Sequence, residues 1–382
     1  MTNVTTIKIS DQAMPVTGLT SARAALAGRW KALQVEQPKL RIRDAAAALQ
    51  VSECELLQTN IGDTVHRLLG DVPSLLHALV DVGRCMALTR NAHAVSEVRG
   101  QYGGVELGPH VGQVVGDGID LRVFPMQWCH MFDVNEPAPT NPMSRRRSIH
   151  VFDASGDAVH KIYLEPDGDA ATWDAIVGTR RVLDAANQHD DLVFTPAKVL
   201  PVGKPDQDVD WGQLLADWDA MQDTHEFFLL LRKHQLTRTQ ALRLVGPARA
   251  YLVGNHACRD LLMAAAAAGL PIMIFVGNGG CLQVYSGAVE NIVRMGPWLN
   301  VLDSTFNLHL REDQICSSWV VAKPTSSGTV SSLEIYDANG QTIALCFVKR
   351  DDRALVEDDG WRSMLAALPP LSIPSLASLA VL

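Results

Sequence analysis

The chain of 382 residues is short of several features that would each mark a class of protein. Its seven cysteines, Cys54, Cys85, Cys129, Cys258, Cys281, Cys316 and Cys346, are scattered, odd in number and contain no C-x-x-C pair. That pattern excludes a disulfide framework and a zinc knuckle, and reads as reduced thiols in a cytosol. Cationic residues are outnumbered, 33 Lys and Arg against 42 Asp and Glu, for a net charge of -9. A general nucleic-acid or anionic-membrane surface needs the opposite balance. Long apolar runs are missing too. The stretch LLMAAAAAGLPIMIFV from Leu261 to Val276 is broken by Gly269 and Pro271 and follows directly on Arg259 and Asp260. It reads as a helix and then a buried strand, not as a membrane span. The opening MTNVTTIKISDQAMPVTG has neither the basic start nor the apolar core of a signal peptide, so a cytoplasmic location is expected.

What the chain does have is 47% hydrophobic and 20% charged residues, the composition of a globular protein with a large core, in two or three domains or one built twice. Internal similarity favours the last. SIHVFDASGDAVHKIYL (Ser148 to Leu164) parallels SLEIYDANGQTIALCFV (Ser332 to Val348), each an alternating strand, a D-A-x-G turn and a second alternating strand. Upstream, IDLRVFPMQW (Ile119 to Trp128) answers FNLHLREDQI (Phe306 to Ile315), which makes Arg122 and His309 equivalent. Earlier still, LAGRWKAL answers LLADWDAM, and RIRDAAAAL answers LTRTQALRL. Each copy reads as a helical segment followed by antiparallel strands, so the fold class is α+β with an internal duplication. The expected organisation is an N-terminal half over 21–166, a Pro- and Asp-rich linker region over 167–209, a C-terminal half over 210–351 and a helix and tail over 352–382. A cleft at the seam between two such halves is a natural ligand site.

One histidine stands out in DTHEFFLLLRKHQLTR (Asp223 to Arg238). A single helix from Trp211 onward would place Leu214, Trp218, Met221, His225, Phe228 and Arg232 on one face, with His225 on its buried stripe. A core imidazole with satisfied nitrogens and a metal-binding imidazole both fit that place. Zinc would need companions, and neither H-E-x-x-H nor a second histidine at helical spacing on this stripe is present. Haem needs one protein ligand, apolar walls and cations for two propionates, which suits the pattern better. GNGG at Gly277 to Gly280 lacks the remainder of a phosphate loop and reads as a hairpin turn, and SRRRS (Ser144 to Ser148) reads as a solvated loop edge.

WDAMQDTHEFFLLLRKHQLTRTQAL, PIMIFVGNGGCLQVYSG, WLNVLDSTFNLHL, WVVAKPTSSGTVSSLEIYD and IDLRVFPMQW, in this order apart from the last, which lies in the first half, resemble the cytoplasmic haem-utilisation proteins of bacteria. This is the hemin-degrading-factor family of HemS/HmuS type, and the resemblance runs from about Trp30 to Leu365. It implies paired α+β halves holding haem in a cleft between them. It makes His225 the axial ligand of the haem iron and Arg122 the arginine over the opposite face, the residue to which oxygen chemistry is assigned. Phe124 and Phe275 become pocket walls, and Arg238, Lys323 and Arg350 supply charge to the propionates. Several relatives carry a tyrosine where this chain has Phe347, which keeps the ring and loses a hydroxyl donor. His309 and His110 are secondary candidates, for which core or surface roles serve equally.

The function implied is oxidative opening of imported haem with release of iron, haem being both substrate and ligand. Motifs for a flavin or nicotinamide are absent from the sequence, so electrons would come from an external reductase or a small reductant. The alternative is a chaperone that buffers haem from an importer and delivers it to a separate haem oxygenase. Neither reading involves nucleic acid or membrane insertion, and both allow a monomer or a dimer.

Overall fold

The structure is a computed structural model that describes residues 21–138, 141–183, 192–196, 199–349 and 357–371. Its frame is two nine-stranded antiparallel sheets. The first runs, in spatial order, β1 (Val65–Leu68), β7 (His130–Ala138), β8 (Asn141–Phe152), β9 (Ala158–Leu164), β2 (Arg84–Arg90), β3 (Ala94–Gln101), β15 (Phe306–Arg311), β14 (Trp298–Leu302) and β13 (Ile292–Met295). The second runs β10 (Ala250–Val253), β16 (Ser317–Thr325), β17 (Gly328–Tyr336), β18 (Thr342–Val348), β11 (Ile272–Gly277), β12 (Cys281–Gly287), β6 (Asp120–Val123), β5 (Gly112–Val115) and β4 (Gly104–Leu107). Position by position the two orders match. Each sheet takes its first six strands from one half and borrows a three-stranded meander from the other.

The duplicated hairpins form where the alternation places them. Asp153 and Asp337 each turn the chain by accepting backbone N–H bonds two and four residues on, from Ser155 and Asp157 and from Asn339 and Gln341. The glycines that follow, Gly156 and Gly340, sit at φ of 85° and 70°, where a side chain would strain the backbone. Arg122 lies opposite Leu282 and His309 opposite Val95, each four residues beyond an asparagine that caps its hairpin, so the equivalence of Arg122 and His309 holds in register.

Those asparagines, Asn91 and Asn278, tie the halves together reciprocally. The Asn91 side chain donates to the carbonyls of Gly277 and Ile343 at 3.2 and 2.8 Å. The Asn278 side chain donates to those of Arg90 and Val159, both at 2.8 Å. A single hydrophobic core runs across this seam, joining Val98, Leu121 and Val123 to Ile274, Val276 and Leu308.

Two local expectations change. The run from Trp211 is two helices, Trp211–Asp219 and Glu226–His234, because the Asp223 side chain bonds the backbone N–H of His225 and turns the chain there. Leu214, Trp218 and Met221 are buried as expected, but His225 is 86% exposed in its side chain and Phe228 is exposed as well. The SRRRS run is not a loop edge but part of the long strand β8. The stretch after Asp260 does form a helix, Ala257–Ala268, and then the buried strand β11, and no helix among the described residues is long and apolar enough to cross a membrane.

Candidate functional site

A cavity of about 970 Å³ opens at the seam, near the top of the usual size range for small-molecule and cofactor sites. Both halves line it. The first contributes Asn91 to His93 from the β2–β3 turn, and Arg122 and Phe124 from the end of β6. The second contributes the Gln222 to His225 turn, Phe228, Arg238, the outward face of β11 and β18, and Lys323. Alternation decides which β11 side chains face it. Ile272, Ile274 and Val276 point into the core while Met273 and Phe275 border the cavity. Phe275 meets Phe347 edge to face, with centroids 5.1 Å apart, and Leu345 and Ile343 extend the same apolar wall.

Seven of the candidate residues border one space: His225, Arg122, Phe124, Arg238, Phe275, Lys323 and Phe347. Arg350 lies outside the described residues. His309 does not border the cavity and is bonded through Nδ1 to Asn300 Oδ1 at 2.7 Å, and His110 is exposed.

His225 reaches this position from the turn, not from a buried helical stripe, so its imidazole is not desolvated. Its ring Nδ1 lies 2.5 Å from Asp223 Oδ1, the same oxygen that accepts its backbone N–H at 2.7 Å. The turn itself is pinned. Glu226 accepts the Gln222 N–H at 2.8 Å, and the Gln222 carbonyl accepts the Ser326 N–H at 2.8 Å. From the first half, Arg122 donates to the Asp120 carboxylate on its own strand and to the Leu121 carbonyl, and the remainder of its guanidinium makes no further hydrogen bond among the described residues.

Lys323 and Arg238, which border the cavity, are more constrained than surface charges would be. Lys323 is only 4% exposed in its side chain and bonds the buried carboxylate of Glu334, which also accepts from Tyr336 and from Ser332. Arg238 approaches the same carboxylate at 3.5 Å and stacks over Phe227 and Phe228. Burial pushes the Glu334 carboxyl up, but Lys323 and Arg238 beside it prevail and hold it at about 2. Burial pulls the Lys323 ammonium below its ordinary value, an effect Glu334 only partly offsets. The three groups together carry one net positive charge. Arg238 borders the cavity while its buried Nε faces the Glu334 carboxylate, so the guanidinium brings positive charge to the cavity wall, where an anionic ligand group is favoured.

Sequence reasoning missed Glu334, Asp223, and a pair that spans the halves, His93 and Asp337, with Nε2 to Oδ2 at 3.4 Å. Glu334 left one signal, a carboxylate on the inward phase of an otherwise buried strand, Leu333 to Tyr336. His93 left none, because only the seam brings its turn to β17.

The family model described as Haemin-degrading HemS.ChuX domain matches the chain twice, over residues 50–179 and 235–368, as the matched halves of the fold require. The hemin transport protein HmuS of Yersinia pestis is 36% identical over 346 residues, covering 90% of this chain and 97% of that protein. The crystal structure of holo-PhuS, a heme-binding protein from Pseudomonas aeruginosa, superposes with a TM-score of 0.86 at 40% identity, covering 91% of this chain and 99% of PhuS. The heme degrading enzyme ChuS of Escherichia coli O157:H7 gives a TM-score of 0.83 at 34% identity, covering 91% of this chain and 100% of ChuS. With two copies of the family's domain and relatives of this identity along nearly its whole length, the chain belongs to the HemS/ChuX haem-utilisation family.

Proposed function

We propose that the seam cavity binds haem and that the protein opens the macrocycle and releases its iron, with dioxygen as the oxidant and electrons from an external reductase or small reductant. The observation that carries this reading is that one cavity brings His225, from the second half, together with Arg122, from β6 of the first, between apolar walls. Haem, as substrate, supplies the redox-active iron and the ring carbons that are oxidised. The protein's own residues do the rest. His225 offers an imidazole, the nitrogen donor that suits iron. Phe124, Phe275, Leu345 and Phe347 exclude water from the ring's faces. Arg238, at the cavity border, brings positive charge to a propionate, and Lys323 balances Glu334 behind it. Arg350 adds the charge that its place in FVKR implies. Arg122 donates hydrogen bonds to an oxygen ligand and stabilises negative charge developing there.

The test is a single turnover of the haemin-loaded protein with a reductant and catalase, following Soret loss and the ring-opened product. Catalase removes free peroxide, which bleaches haem unaided. Arg122→Ala should retain most haemin binding and lose turnover, and equal turnover in the variant and the parent removes Arg122 from the reaction. A second reading, a haem carrier, is favoured by one observation: His225 and Phe228 stand exposed at the cavity mouth, where a partner could reach the haem. It prevails if haem survives the assay intact and passes rapidly to a separate haem oxygenase.

A further inference from the structure

The proposed ligand has a fixed neighbour, Asp223, whose bond to the backbone N–H makes the turn but whose bond to the ring neither the fold nor the cavity walls explain. Asp223 Oδ1 takes two donors from the same residue, the backbone N–H and the ring Nδ1 of His225. An ionised carboxylate only accepts hydrogen bonds, so the proton on the neutral ring belongs at Nδ1. Nε2 then holds the lone pair, and no hydrogen bond occupies it among the described residues. The other carboxylate nearby, Glu226, is engaged at the Gln222 N–H and does not compete for the ring. The Gln222 carbonyl is in turn anchored by Ser326, so the whole turn is set before any ligand arrives.

We infer that Asp223 is a positioning residue for His225, a carboxylate that holds the imidazole as its Nδ1–H tautomer and so makes Nε2 the iron-binding nitrogen. The inference rests on the haem reading above. A histidine that donates its second N–H to a carboxylate is oriented and made a more basic ligand, and losing such a partner typically costs about 10- to 100-fold in metal affinity. The arrangement also gives the bound imidazole partial imidazolate character, which strengthens its bond to ferrous iron and favours the ferric state.

The experiment has two parts on the full chain. Without haem, long-range nitrogen–proton NMR on ¹⁵N-histidine protein at about pH 8, where free imidazole is neutral, reads the tautomer directly. The His225 signals are assigned by their loss in His225→Ala. The parent should show the Nδ1–H form, Asp223→Asn should retain it through the amide oxygen, and Asp223→Ala should revert to the Nε2–H form that free histidine prefers. With haemin, Asp223→Ala should bind about 10- to 100-fold more weakly. Its ferrous iron–histidine stretch should move to lower wavenumber and its reduction potential should rise, with Asp223→Asn between it and the parent. An Nε2–H tautomer in the parent, or a stretch and potential unchanged in Asp223→Ala while His225→Ala weakens binding, overturns the inference alone. Unchanged haemin affinity and Soret band in His225→Ala overturn the ligand reading beneath it.

Discussion

Around the seam, a cross-strand row on neighbouring strands, Phe275 and Leu345 at the cavity wall and the buried Glu334 beside them, has a counterpart in register: Leu88, Lys161 and His150. In the second half the middle position is an apolar wall. In the first it is a buried ammonium bonded to Glu53, which the short helix Glu53–Gln58 delivers. The second half has no helix between Leu244 and β10 to deliver such a group. It has instead the helix Glu226–His234 and the turn before it, where the first half passes from the helix Ser21–Glu36 to Ile42–Leu49 through a short turn. One half thus fills the space that the other leaves open. The comparison teaches that a duplicated frame can keep its strand order and register while one side-chain exchange and two local insertions decide where a ligand goes.

The largest expected effect comes from breaking the filled side. Glu53→Ala strands the Lys161 ammonium in the core and should cost about 3–5 kcal/mol in urea unfolding. The double variant Glu53→Ala, Lys161→Leu, which copies Leu345, should recover most of that loss. A double variant as unstable as the single would show that the ion pair is not what fills this half. The converse change, Leu345→Lys, carries the first half's charge into the cavity wall. It should weaken haemin binding on the order of 100-fold, about 2.7 kcal/mol, in a Soret titration. Undiminished affinity would place the ligand elsewhere.

Acid should separate the halves. Both ring nitrogens of His160 are bonded, to Thr89 and Tyr102 at 2.8 Å each, and burial lowers its pKa to about 3, while burial also holds His150 well below the ordinary value. A histidine neutral in the fold but protonated when unfolded contributes stability that is full above about pH 6.5. That contribution drains away as pH falls toward the folded value. Glu334, at the position of His150, has its pKa lowered to about 2, so its stabilisation is present above the ordinary carboxylate range and is lost only as pH falls through about 2. Hydrogen exchange at about pH 4.5 should therefore open β8 and β9 before β17 and β18. Equal protection in the two hairpins would contradict this. The smallest effect is expected of Phe347→Tyr, which copies Tyr163 of the first half. One regained hydrogen bond, about 0.5–1.5 kcal/mol, should raise haemin affinity by no more than roughly tenfold.

Much of this was readable in the sequence, because it rests on short-range chemistry. The D-A-x-G turns, the alternation of β11 and the equivalence of Arg122 and His309 are local patterns, and the gathering of the candidate side chains followed from the family motifs. The break before His225 was hidden. The spacing from Met221 to His225 continues the helical period, and only the competing bond from the Asp223 side chain ends it. The exchange of three-stranded meanders between sheets was hidden for another reason: the pairing of β6 with β12 and of β15 with β3 joins residues far apart in the chain and leaves no mark on either segment alone. The burial of Lys323 was hidden too, since its partner Glu334 lies on a neighbouring strand.

That exchange also sets an order in time. β3 pairs with β15, so the first sheet cannot be completed while the ribosome has made only the N-terminal half, and its growing edge waits for residues some two hundred positions downstream. Contacts of such long range slow folding and leave an open strand edge on the nascent chain in the interval. The cavity, which needs β6 of the first half beside β11 and β18 of the second, is consequently among the last features of the molecule to exist, and a ligand can find it only once both halves are made.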